Sequence, residues 1–434
     1  MCSHSSVALQ AFSSMTGPAA PCPLWLQQRF EQVGGSVPFS QFMDWALHDP
    51  EHGAYGSGQL KIGKAGDFVT SATLGPDFAA LMGGQLVQWI RTLAQDHPTE
   101  TLSIVEVGPG EAEMSCELIT HLAEQLPELR HRLELVLVEA NPGMEQRQRN
   151  RLEQHQRSCE PQQRLSQRWA SLSDLKTKPV IGVLIAHELL DALPVERLEL
   201  IDGQLRRQTV QLQQDDDGDL GLLWGHEPIP QPLQERLNAT LAAAQIALPP
   251  DNAEDGWTTE WHDQCARWFA EASEALIAGH LLVVDYALEA HRYYSSQRSQ
   301  GTLIAYRNQR ASENVLADAG KNDITAHLCL ETLVHQATSN GWSLEGQCRQ
   351  GEALLALGLA ERFSSLQQLP GHQLAEGLQR REALLRLVDP ACLGEFRWLS
   401  FLRINPSLPN KRMGERSQFL QEPLGLNASK PGKL

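Results

Sequence analysis

The stretch "VEVGPGEAEMS", Val105 to Ser115, decides the fold. It closes a short apolar run, "LSIVEVG" (102–108), and opens a segment with helical spacing, "MSCELITHLAEQL" (114–126). In that segment Leu118, Leu122 and Leu126 recur every fourth residue and share one face. A strand ending at Glu106 and Val107, a turn through Gly108-Pro109-Gly110 and a helix therefore follow one another. Glycines let backbone approach a ligand closely, and the first turn of a helix offers unpaired N–H groups. This is the nucleotide-binding turn of a Rossmann-like sheet. A G-x-G pair alone is a common turn; its place after the first strong strand gives it weight.

Three more runs read as buried strands: "LELVLVEA" (133–140), "VIGVLIA" (180–186) and "HLLVVDYA" (280–287). Val, Ile and Leu dominate them without alternation, as in strands covered on both faces. Helical spacing lies between them. In "EWHDQCARWFAEASEALIAGH" the residues Trp261, Cys265, Trp268, Phe269, Ala272 and Leu276 form a face, and the helix is expected to stop at Gly279. Alternating strands and helices predict a doubly wound, parallel α/β sheet. "RRQTVQLQQ", "DDDGD" and "LGLLWG" read as a hairpin with a solvated acidic turn, inside an insertion at about 200–256. The expected organisation is a flexible tail (1–22), an N-terminal helical region (23–100), an α/β domain (101–400) and a loose C-terminal tail (401–434).

The chain has 434 residues, 41% of them hydrophobic, and a net charge of −17. Nucleic-acid binders concentrate positive charge, so broad contact with a phosphate backbone is not expected. An acidic protein attracts a cationic substrate instead. The eight cysteines include no C-x-x-C pair, which argues for free thiols rather than a zinc site or a disulfide framework. No Lys or Arg precedes Arg29, unlike secretory or mitochondrial leaders, and no apolar run is long enough to span a bilayer. These features lead to the expectation of a soluble, cytoplasmic protein without membrane insertion.

Two further segments carry chemistry. Glu139 ends the second strand, where a carboxylate accepts hydrogen bonds from ribose hydroxyls in nucleotide-binding sheets. "HELLDALP" (187–194) contains half of the zinc pattern H-E-x-x-H, with Asp191 in place of the second His. A zinc peptidase needs both His on one helix face, whereas His187 ends a strand and Pro194 limits any helix. The segment reads as an acidic loop at the carboxyl edge of the sheet, where ligands of open α/β sheets bind. No metal is expected. Upstream, Gly63, Gly66, Asp67, Thr70 and Ser71 cluster before a helix starting near Pro76.

Seven blocks occur in one order: "GDFVTSATLGPDFAALMGGQLVQW", "VEVGPGEAEM", "LVEANPGMEQRQ", "HELLDALPVERL", "LLVVDYA", "GTLIAYRNQ" and "NDITAHLCLETLV". Together they resemble the MidA-type S-adenosylmethionine-dependent methyltransferases, known in mitochondria as a complex I assembly factor that methylates arginine. The resemblance runs from about His52 to about Leu402. It implies a Rossmann-like methyltransferase core with an N-terminal helical region and an inserted substrate-side region. It implies S-adenosyl-L-methionine as cofactor and, as partner, a protein substrate such as a subunit of a complex I-like NADH dehydrogenase. By this resemblance Glu106, Gly108 and Gly110 line the methionine and ribose part of the cofactor, and Glu139 holds the ribose. The turn Gly66-Asp67-Phe68, with Thr70 and Ser71, closes over the cofactor, and Glu188 and Asp191 face the substrate.

The chain departs from the family pattern at Ala112, in place of a third glycine, at His187, in place of Asn, and near Gln309, in place of His. A guanidinium is permanently charged, and paired carboxylates can hold it while one nitrogen faces the methyl. Glu188 is the first candidate for that role, Asp191 the second and Asp67 a weaker third, which can serve the cofactor's amino group instead. Three other readings stay open here. They are a cofactor-binding scaffold without turnover, a methyltransferase of small molecules and an NAD(P)-dependent oxidoreductase. The span of about 30 residues from Gly108 to Glu139 argues against the last, since the dinucleotide pattern has about 20.

Overall fold

The computed structural model describes residues 20–58, 60, 70–214, 218–403 and 417–421. Seven strands form the central sheet: β1 (Leu102–Val107), β2 (Leu133–Val138), β3 (Ser166–Trp169), β4 (Val180–His187), β5 (Leu276–Asp285), β6 (Ser343–Arg349) and β7 (Arg397–Arg403). Their order is β6-β7-β5-β4-β1-β2-β3. β1 to β5 pair in parallel, and β7 lies antiparallel between β5 and β6. The order reverses between β1 and β4, so their carboxyl ends diverge and leave a crevice.

Both faces of the sheet are covered, which explains the unbroken apolar runs. On β1, Leu102 and Ile104 face one core while Val105 and Val107 face the other. The first core is closed by α1 (Pro76–Asp96) and α2 (Glu113–Gln125). These helices approach closely at Gly83, where a Cβ would run into the His121 ring. α3 (Pro142–Ser158) follows β2 and is N-capped by Asn141, whose side chain accepts from Met144 N at 2.8 Å. The second core lies under α4 (Asp263–Ala275) and α5 (Leu330–Ser339).

The helix expected to stop at Gly279 ends earlier, at Ala275, and β5 starts at Leu276. Gly279 is a strand residue. It faces Gly182 of β4, and its φ of +135° and the absence of a Cβ let the two backbones meet. The strand is apolar enough to continue through the glycine, so a helix stop was read where a close strand approach is needed.

The insertion forms an antiparallel sheet. Gln204–Gln214 and Leu220–Glu227 pair as a hairpin, flanked by Glu196–Ile201 and then Thr258–Trp261. N-terminal residues complete it: Ala20–Pro21 and Ser36–Pro38 add strands, and the helices Leu24–Gln32 and Phe39–His48 pack beneath. The N-terminal segment and the insertion thus share one core. A third, small sheet joins Ile304–Arg307, Arg310–Ser312 and Asp323–Thr325. Within the stretch read as a loose C-terminal tail, Ser417–Gln421 packs inward, with Phe419 buried against Trp89 and Trp398. A last helix, α6 (Leu374–Val388), lies beside the carboxyl edge of the sheet.

Candidate active site

Two cavities meet at the carboxyl ends of the parallel strands. The larger, of about 600 Å³, lies over the β1 turn and reaches the ends of β2 and β4. Gly108, with φ +66°, and Gly110, with φ +53°, form its floor. A Cβ on Gly108 would press on Leu189 at 2.8 Å, across the cavity. Ala112, buried at the start of α2, takes φ +59°, a backbone that favours glycine and costs an alanine about 1–2 kcal/mol. The missing third glycine therefore leaves the turn's conformation intact.

A buried glutamine that the sequence reading passed over ties this floor to the β2 end. Gln148 Nε2 donates to Gly110 O at 2.9 Å and to Glu139 Oε2 at 2.8 Å, while its Oε1 accepts from Trp169 Nε1 at 3.0 Å. Asn141 N donates to Glu139 Oε1 at 2.8 Å. Burial raises the Glu139 carboxyl, and these donors oppose it. Glu106, beneath the turn, accepts from Ser115 Oγ and is held up to about 7 by burial. The walls are mostly apolar, with Val107, Val138, Met144, Leu172, Leu193 and Trp268. A cavity with apolar walls, a glycine floor and a carboxylate with spare acceptor capacity at its edge fits a nucleoside: a flat base and a diol.

The smaller cavity, of about 260 Å³, shares Tyr55 and Glu188 with the larger one. Among the described residues three carboxylates line it, those of Glu188, Asp191 and Asp323, beside Tyr55, Tyr286 and Tyr306. Tyr55 Oη donates to Asp323 Oδ1 at 2.8 Å. The loop bearing Glu188 and Asp191 is fixed from behind. Asp285, at the end of β5 and fully buried, accepts from Leu189 N, Leu190 N and Asp191 N at 3.2, 2.8 and 3.3 Å. Ala326 N donates to Asp191 O at 3.0 Å. Glu188 takes φ +49°, a strained backbone for a non-glycine residue, and its Oε1 accepts from Ser71 N at 2.9 Å.

Crowded burial makes these acids weak. Burial first, then Asp285 and Asp323, hold Glu188 up to about 8, against the Ser71 hydrogen bond. Asp191 is likewise raised well above the usual carboxylate range, by burial and by Asp285, Asp323 and Glu188. Asp285 reaches only about 6, because backbone N–H groups stabilise its charge. His187 packs against Phe78 and is pushed down to about 3 by burial. Its Nε2 lies 3.2 Å from Glu188 Oε1 but lacks hydrogen-bond geometry, so the contact is a neutral imidazole beside an acid, not an ion pair.

The predicted residues separate accordingly. Glu106, Gly108, Gly110, Glu139 and Thr70 line the larger cavity, and Asp191 the smaller. Glu188 stands between the two. Ser71 lies behind it, buried against Gln350, and reaches the site through its backbone N–H. Gly66 and Asp67 lie outside the described residues. Asp323, Tyr55, Tyr286 and Tyr306 went unselected, although Asp323 stands in "NDITAH" and Tyr286 follows Asp285 in "LLVVDYA". No helix among the described residues is long and apolar enough to cross a membrane.

Residues 81–348 match the family described as "Putative S-adenosyl-L-methionine-dependent methyltransferase". The chain belongs to this family. The fold agrees. A protein from Burkholderia thailandensis solved with S-adenosyl-homocysteine bound superposes with a TM-score of 0.73 at 26% identity, covering 87% of this chain and 91% of that one. A native structure of a protein from the same organism gives 0.71 at 27% identity, covering 87% and 90%. The Drosophila melanogaster "Protein arginine methyltransferase NDUFAF7 homolog, mitochondrial" is 24% identical over 383 residues, covering 84% of this chain and 81% of its own length. The Danio rerio "Protein arginine methyltransferase NDUFAF7, mitochondrial" is 23% identical over 407 residues, covering 89% and 83%. The protein is a methyltransferase that uses S-adenosylmethionine. The expectation of a cytoplasmic protein is overturned: these relatives, and a third from Caenorhabditis elegans, are all named mitochondrial. The lack of early basic residues was too weak a signal to set a compartment.

Proposed function

We propose that this methyltransferase modifies an arginine side chain of a protein. The observation that carries the proposal is the acid-lined cavity adjoining the larger one, with Glu188 and Tyr55 lining both. S-adenosylmethionine, when bound, supplies a methyl group already activated on a sulfonium. Gly108, Gly110, Glu106, Thr70 and Glu139 would hold it, with Glu139 at the ribose.

The chain's own residues then need only present a cation in line and manage one proton. Glu188 and Asp191 accept N–H bonds from the guanidinium, and Asp323, steadied by Tyr55, completes the acidic wall. Tyr55, Tyr286 and Tyr306 line the cavity among the acids. Before the acceptor arrives, a carboxyl held near 8 is protonated at neutral pH; the arriving cation ionises it. Once ionised, Glu188 Oε can take the proton the guanidinium releases on methylation. Asp285 keeps the loop in register but does not touch the acceptor.

The relatives named as protein arginine methyltransferases support this acceptor. The resemblance to an assembly factor makes a complex I-like dehydrogenase subunit the candidate partner. The test is transfer of labelled methyl to arginine, lysine and small guanidine acceptors, followed by amino-acid analysis. Methylarginine from a peptide or protein supports the proposal. Label in lysine or only in small molecules rejects it, and cofactor binding without any transfer favours a scaffold.

A further inference from the structure

Among the described residues the acid-lined cavity has one lining residue of opposite sign. Arg386 lies in the last turn of α6, on its exposed side, and borders the cavity with Tyr306 and Gln309. Among the described residues no carboxylate pairs with it. Arg380 of the same helix, by contrast, is engaged by Asp77 and Glu376. The neighbouring charges that act most strongly on Glu188 and Asp191 are those of other acids, Asp285 and Asp323. Arg386 is thus a solvated charge at the rim rather than a counter-ion within.

A cationic side chain entering this cavity passes a fixed positive charge that repels it. A carboxylate next to the acceptor on the same incoming chain converts that repulsion into a pair. We propose that Arg386 is a specificity determinant that selects acceptor arginines flanked by an acidic residue. The inference rests on the arginine reading above. A simpler role for a cation here is to complement the carboxyl end of the helix dipole. That role is indifferent to the sequence of the acceptor, which makes the two separable.

The test uses three synthetic peptides with a single arginine, identical except for Glu, Gln or Lys beside it. kcat/KM is measured for the wild-type chain, Arg386→Gln and Arg386→Glu. The wild type should prefer the Glu peptide over the Gln peptide about fivefold, mainly in KM, near the upper end of what an exposed ion pair supplies. Arg386→Gln should level the three, and Arg386→Glu should invert the order in favour of the Lys peptide. Unchanged S-adenosylhomocysteine affinity shows that each variant is folded. Equal use of the three peptides by the wild type, or a preserved order in Arg386→Glu, overturns the role of Arg386 alone. If the wild type methylates none of them while binding cofactor, the arginine reading fails and this inference falls with it.

Discussion

The two cavities differ in how they are made. The larger rests on consecutive strand ends and the turn between β1 and α2, so its residues come in short stretches that bear the stamp of their chemistry. The smaller collects Tyr55, Glu188, Asp191, Tyr286, Tyr306 and Asp323 from five separate segments. One has apolar walls with a carboxylate oriented by backbone and amide donors and still able to accept. The other has carboxylates crowded together and weakened by burial. The difference suits two ligands of one reaction: a nucleoside that needs a shaped apolar bed, and a cation that needs charge created on arrival.

Four measurements would break or sharpen that contrast. The largest effect is expected for Glu188→Gln. Transfer should fall about 10³-fold, within the range for a positioned acid or base, while S-adenosylhomocysteine affinity stays within about twofold. A variant with wild-type turnover would remove Glu188 from the reaction. Next comes pH. Because Glu188 is held up to about 8, binding an arginine peptide at pH 6 must expel a proton. Affinity of the S-adenosylhomocysteine-loaded enzyme should therefore climb between pH 6 and 8, by up to about tenfold per unit for one proton released, and level off above. A flat profile would mean that the cation meets acids already ionised.

Third, Glu139→Ala should weaken S-adenosylhomocysteine roughly thirtyfold, about 2 kcal/mol for a hydrogen-bonding carboxylate, with the peptide KM unchanged at saturating cofactor. Parallel losses in both would show that the cavities do not act separately. The smallest effect is on stability. Raising a carboxyl above its unfolded value stabilises the fold below about pH 4.5, and that contribution is lost as pH rises through about 8. Glu188→Gln lacks this titration. Its stability relative to wild type should rise from pH 5 to pH 9 by about 4 kcal/mol, seen as a growing difference in melting temperature. A constant difference would indicate that Glu188 is not buried in solution.

The contrast also explains what could be read from the chain alone. Val-rich runs announced β1, β2, β4 and β5 because both their faces are covered. β3, β6 and β7 escaped notice: "SQRW" and "SLEGQCR" lie toward the edges and carry polar residues, and "RWLSFLR" was assigned partly to a tail. Gly108, Gly110 and Glu139 were legible because one local turn creates their chemistry. Glu188 was legible as an acidic strand end, but its strained backbone and its hydrogen bond from Ser71 depend on tertiary packing. Asp323 reaches the site only because a small three-stranded sheet carries it there, and its pairing with Tyr55 spans more than half the chain. Gln148 joins the β1 turn, the end of β2 and Trp169 of β3 at once, which no single helical face reveals.

The position of β7 sets a schedule for the ribosome. Residues 397–403 fill the slot between β5 and β6, so the flank of β5 stays bare until they have emerged. The crevice for the methyl donor, bounded by β1, β2 and β4, uses only earlier segments. A chain halted upstream of Arg397 would carry every segment of the ligand bed yet leave the border of β5 uncovered, a species primed to stack with its own kind.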